Sequence, residues 1–168
     1  MGANLITQTC EYLKSALEES CGEKALMGIV SNLNTQKLTR VELILERVEE
    51  KLARQIEMAS LVAQCDPYRA VTHNKEIMNG VDGLCVATGN DWRALEVGLH
   101  GFAAHGGAYR GLSTWKKEGS CLRGVLEGPM NVGIVGGVTS IHPLASFSLR
   151  CLGVRTAKEL AYVMEQWD

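Results

Sequence analysis

Apolar positions along the chain follow helical and strand periods in turn. Ile6, Cys10, Leu13 and Leu17 recur at i, i+4, i+7 and i+11, which predicts an amphipathic helix over 4–20 with Gly22 as its stop. Residues 25–30 are a short apolar run of strand length, ended by Ser31-Asn32. Val41, Leu43 and Leu45 alternate with Glu42, Ile44 and Glu46, an imperfect strand pattern. Val48, Leu52, Ile56, Ala59 and Ala63 form the stripe of a second helix, broken at Asp66-Pro67.

Residues 69–91 break this regularity. Arg69, His73, Asn74, Lys75, Glu76, Asn79, Asp82, Asn90 and Asp91 are interleaved with Ile77, Met78, Val81, Leu84 and Val86 on no simple period, which suggests buried polar chemistry. A helix resumes after Asp91 with Trp92, Leu95, Leu99 and Phe102 on one side, and Asn90 or Asp91 suits its N-cap. Residues 112–115 and 122–126 flank Lys117-Glu118-Gly119-Ser120 as a β-hairpin. The glycine-rich run 132–137 reads as a tightly packed strand and turn. Two short helices close the chain, over 143–152 with Gly153 as stop, and over 157–166 with a capping box from Thr156 to Glu159. The fold class is α+β, without repeats or low-complexity linkers.

Composition narrows the classes. The 168 residues carry 17 Lys+Arg against 19 Asp+Glu, a net charge of -2, with 46% hydrophobic and 21% charged residues. That excludes disordered, collagen and coiled-coil chains. Near-neutral charge with scattered basic residues argues against nucleic-acid and membrane-surface partners. No apolar run approaches bilayer length and no secretion signal opens the sequence, so a soluble, cytoplasmic chain is expected. The six cysteines show no C-x-x-C pair and are expected to be buried or partly buried free thiols.

Neither glycine-rich phosphate device, G-x-G-x-x-G or G-x-x-x-x-G-K-[ST], occurs. The four histidines lack H-E-x-x-H spacing, so no metal site is expected. Lys75 and Asp91 are the sharper candidates. A lysine partly withdrawn from water and held by a carboxylate can be tuned to donate a proton, and its ammonium can stabilise a developing oxyanion. A structural ion pair is the commoner use of such residues.

Residues 66–75 (DPYRAVTHNK), 77–80 (IMNG) and 87–94 (ATGNDWRA) closely resemble the class II hydroxymethylglutaryl-CoA (HMG-CoA) reductases. So do Met1-Gly2-Ala3-Asn4, Ser31-Asn32-Leu33, and Gly133 to Gly137 followed by His142-Pro143. The resemblance runs essentially end to end, and the Asp-Lys-Lys pattern of class I is absent. It implies reduction of HMG-CoA to mevalonate and coenzyme A by two hydride transfers from NADH or NADPH, or the reverse, in a homodimer.

By resemblance, Lys75 is the catalytic lysine that holds and protonates the substrate oxygen, and Asp91 is the aspartate that tunes it. Arg69 grips the substrate's free carboxylate, a task suited to a bidentate guanidinium. Asn79 orients the lysine, and Asn32 lies in an active-site turn. Met1, Gly2, Ala3 and Asn4 match the end of the cofactor-binding motif, where small residues at a helix N-terminus approach a pyrophosphate. The implied organisation is residues 1–31 from a small ferredoxin-like cofactor domain and 32–168 from the large substrate domain.

Departures from the family pattern qualify this reading. The Asp-Ala that precedes Met-Gly-Ala-Asn in the family is not in this sequence. The family's catalytic glutamate and its thiolate-protonating histidine are expected in segments outside it. Glu76 stands where the family has glycine, and Gly128 where leucine is usual. The alternative is therefore a catalytically incomplete piece that only binds ligand or a partner reductase chain.

Overall fold

The computed structural model describes residues 3–166. The chain divides into two compact units, Met1–Asn32 and Leu33–Asp168. In the first, helix α1 (Ala3–Cys21) ends at Gly22, whose φ of 70° suits a residue without Cβ. The strand expected over 25–30 does not form. Leu26, Met27 and Ile29 are exposed, and the unit has no other strand among its described residues to complete a ladder. Instead the segment is held by the Ala25 N–H, which donates to Glu18 Oε1 at 2.9 Å. Gly28 passes so close to the helix that a Cβ there would lie 2.7 Å from the Cys10 carbonyl oxygen.

The second unit runs β1 (Thr39–Leu45), α2 (Glu50–Cys65), α3 (Pro67–Ala87), α4 (Trp92–Ala104), β2 (Ser113–Glu118), β3 (Cys121–Gly128), α5 (Val138–Ile141), α6 (Pro143–Leu152) and α7 (Ala157–Gln166). The antiparallel sheet has the order β1-β3-β2. β2 continues to Glu118, which pairs with Cys121, so the hairpin turn is the two residues Gly119-Ser120. Gly119 takes the positive φ, 63°, that a two-residue hairpin demands. Along central β3 every second residue is buried: Leu122, Gly124, Leu126 and Gly128.

Several periods fall elsewhere than expected. The inward face of α2 is Ala53, Ser60 and Ala63, while Leu52 is exposed. Most of the irregular stretch 69–91 lies in one 21-residue helix, α3, whose buried positions Ala70, Asn74, Ile77, Met78, Val81 and Cys85 do follow a helical period. Asn74 lies on that stripe, and Arg69, Lys75, Glu76 and Asn79, which lie off it, obscured the period. Residues 132–137 form bends and a turn rather than a strand. The cysteines are all free, but Cys21, Cys65 and Cys151 are exposed and only Cys85 is buried.

Asp91 caps α4, Gly153 ends α6 at φ 68°, and the Thr156–Glu159 box forms reciprocally. The core gathers Ile77, Met78, Val81 and Cys85 of α3, Leu95 and Leu99 of α4, Leu126 of β3, and Leu160, Ala161 and Met164 of α7.

Candidate functional site

Helix α3 separates two jobs by angle. Each residue advances about 100° around the axis, so the buried stripe 70-74-77-78-81-85 leaves Arg69, Lys75, Glu76 and Asn79 on the opposite side. Pro67 at the start and Asp66, whose side chain accepts the Tyr68 N–H, fix where the helix begins.

Lys75 is exposed rather than withdrawn from water. Its Nζ lies 3.6 Å from Glu76 Oε1, and Asn79 Nδ2 donates to Glu76 Oε2 at 3.0 Å. Glu76 therefore connects the two expected site residues, Lys75 and Asn79. Asp91 has other partners. Its Oδ1 accepts the backbone N–H groups of Arg93 (3.1 Å) and Ala94 (3.3 Å), and lies 3.4 Å from Arg93 Nε. Lys75 and Asp91 do not pair with each other among the described residues. Arg69 is half-buried and makes no ion pair among the described residues.

Asp91 lines an open cleft of about 420 Å³ with Gly89, Asn90, Trp92, Arg93 and Val138. Asn90 builds one wall: its Nδ2 donates to the Gly133 carbonyl at 3.0 Å, and its Oδ1 accepts the Gly133 N–H at 2.8 Å. This pair of bonds ties the glycine-rich run to the turn before α4.

Two polar residues inside the fold have larger structural roles than their sequence neighbours suggested. Asn74 is fully buried; Nδ2 donates to the Arg110 carbonyl (2.9 Å), and Oδ1 accepts the Leu112 N–H (2.8 Å). His73 Nε2 lies 2.8 Å from Ser113 Oγ. Burial, and then the Arg69 charge, push the His73 pKa below its ordinary value, against a smaller opposing effect of the Ser113 backbone. The signal for Asn74 was present: it stands four residues after Ala70 and three before Ile77, on the core stripe.

Of the cofactor-motif residues, Met1 and Gly2 lie outside the described residues, Ala3 opens α1, and Asn4 is exposed in its first turn. Asn32 is exposed and closes the first unit.

A family profile, hydroxymethylglutaryl-coenzyme A reductase, matches residues 1–165. The 3-hydroxy-3-methylglutaryl-coenzyme A reductase of Archaeoglobus fulgidus is 44% identical over 168 residues, covering 97% of this chain and 38% of that protein. A probable reductase of the same name from Borreliella burgdorferi is 32% identical over 172 residues, covering 98% of this chain and 40% of that protein. The class II reductase from Streptococcus pneumoniae, solved bound to NADPH in open conformations, superposes with a TM-score of 0.92. It is 41% identical, and the match covers 98% of this chain and 47% of that one. The chain thus belongs to the hydroxymethylglutaryl-coenzyme A reductase family. Within it, the chain is a homologue of the class II enzymes, spanning 38% and 40% of the length of the two curated relatives.

Proposed function

We propose that this chain supplies the lysine-bearing part of an HMG-CoA reductase, which reduces HMG-CoA to mevalonate and coenzyme A with two equivalents of NADH or NADPH, or catalyses the reverse. The observation that carries the reading is the exposed side of α3, which presents Arg69, Lys75 and Asn79 along one helix in a chain of this family.

On this reading Arg69, a half-buried guanidinium without a carboxylate partner among the described residues, takes the free carboxylate of the substrate. The Lys75 ammonium holds the thioester oxygen, and later the aldehyde oxygen, and gives it a proton as hydride arrives at carbon. Glu76 lies beside that ammonium, and Asn79 orients it by holding the Glu76 carboxylate. Asp91, at the head of α4, adds negative charge to the cleft, and Asn32 is part of the substrate turn. Residues 1–31 belong to the small cofactor domain and 32–168 to the substrate domain. The first turn of α1 carries no acidic residue, which suits the pyrophosphate of a dinucleotide held by Met1, Gly2, Ala3 and Asn4. The nicotinamide supplies the hydride. The reading includes a homodimer, as in the family.

The Glu76 carboxylate, 3.6 Å from Lys75 Nζ where the family has glycine, favours a second reading, in which the chain binds ligand or a partner reductase chain without turning over. One experiment separates the two. Calorimetric titration with HMG-CoA should show binding that weakens roughly tenfold or more in Arg69→Ala. Absorbance of NADH or NADPH is then followed with HMG-CoA present. Oxidation that disappears in Lys75→Ala identifies a working reductase, and binding without oxidation identifies the incomplete form. If HMG-CoA does not bind the folded chain at all, the proposal fails.

A further inference from the structure

Glu165, in the last turn of α7, is the one acidic side chain among the buried polar residues, at 4% exposure, and neither carboxylate oxygen has a hydrogen-bond partner among the described residues. Its own turn places it beside Met164, with Leu160 and Ala161 one turn back, all buried in the core. An ionised carboxylate in such a place loses its hydration and gains nothing in exchange, so the neutral acid is the form that fits. We propose that Glu165 is a pH-operated latch: protonated, it lets α7 pack against the rest of the unit, and ionised it loosens that packing.

The surrounding charges leave the latch to Glu165. On β3, the negative charge of Glu127 adds to the cost of ionising Glu165. On β1, Arg40 is engaged by Glu42 at 3.0 Å and by Glu127 at 3.5 Å, and Arg123 of β3 is engaged by Glu42 at 2.7 Å. On α3, burial holds the Cys85 thiol up to about 12, so it stays neutral, and Asp82 interacts with Glu96 and His100 of α4. On α7 itself, Lys158 lies over the Tyr162 ring and Glu159 caps Thr156. Among the described residues none of these cations pairs with Glu165. Burial first, and the Glu127 charge second, push the Glu165 carboxyl up to about 8.

The consequence is a loss of packing on the alkaline side. A carboxyl whose pKa is raised in the fold ionises more readily in the open state, so opening becomes easier as pH rises from the ordinary carboxylate value to the raised one, and then levels off. Helix α7 also packs on α3, so loosening reaches the helix that carries Lys75. The latch itself does not depend on the reductase reading.

The test is amide hydrogen exchange of residues 157–166 in the full chain, from about pH 6.5 to 9, corrected for base catalysis of exchange itself. The opening equilibrium should rise roughly tenfold or more in the native sequence. Glu165→Gln should abolish the rise. An undiminished rise in Glu165→Gln, or no rise in the native sequence, overturns the proposal.

Discussion

Asn74 illustrates how one residue can join two elements. Its amide satisfies a carbonyl and an N–H of the segment leading into β2, at Arg110 and Leu112, from inside α3. Asn74→Ala should cost about 2–4 kcal/mol, because both backbone groups lose their partner. Urea denaturation checks this, and a loss below about 1 kcal/mol would mean that water replaces the amide. His73 predicts a pH effect of definite sign. Its pKa in the fold is lowered, so the unfolded chain binds the proton more readily. Its contribution is complete above the ordinary histidine value and is lost as pH falls through that value toward the lowered one. His73→Gln should flatten the slope of stability between about pH 7 and 5. Both residues were visible in the sequence as candidates, but their partners were not, because Arg110, Leu112 and Ser113 are some forty positions away.

Elements were legible where local chemistry fixes them. The Asp91 cap, the Gly153 stop and the Thr156–Glu159 box need only neighbours in sequence, and each forms as expected. Asp91→Ala should therefore cost about 1 kcal/mol of stability through the lost cap, while Asp91→Asn retains most of it. Thermal denaturation of both variants separates capping from any part that the charge plays in ligand binding. Strands were less legible. β3 is central and takes glycine at two inward positions, and a Cβ at Gly124 would lie 2.7 Å from the Trp115 ring. Gly124→Val should destabilise by about 1–3 kcal/mol through overpacking, and an unchanged melting temperature would show that the indole can move aside. The apolar run 25–30 failed as a strand because periodicity describes a face, and a face becomes a strand only when another strand offers hydrogen bonds.

At the scale of the whole molecule, the principal core lies entirely within Leu33–Asp168. A chain lacking residues 1–32 should therefore keep a cooperative unfolding transition, which calorimetry would reveal; a broad, non-cooperative melt would contradict it. Among the described residues no helix is long and apolar enough to cross a membrane. The sequence by itself determined the family, through contiguous motifs around Lys75 and Asp91, and it determined the helices whose caps and stops are local. It also named Arg69, Lys75, Asn79 and Asp91 as candidates, because motif order is written in the chain. Only the tertiary structure decided which of their charges meet. Lys75 has Glu76 within 3.6 Å and not Asp91, because the start of α4 commits the Asp91 carboxylate to the Arg93 and Ala94 N–H groups. Likewise, nothing local marks Glu165 as buried. Its position is set by the packing of α7 on β1 and α3, a contact between segments far apart in the chain.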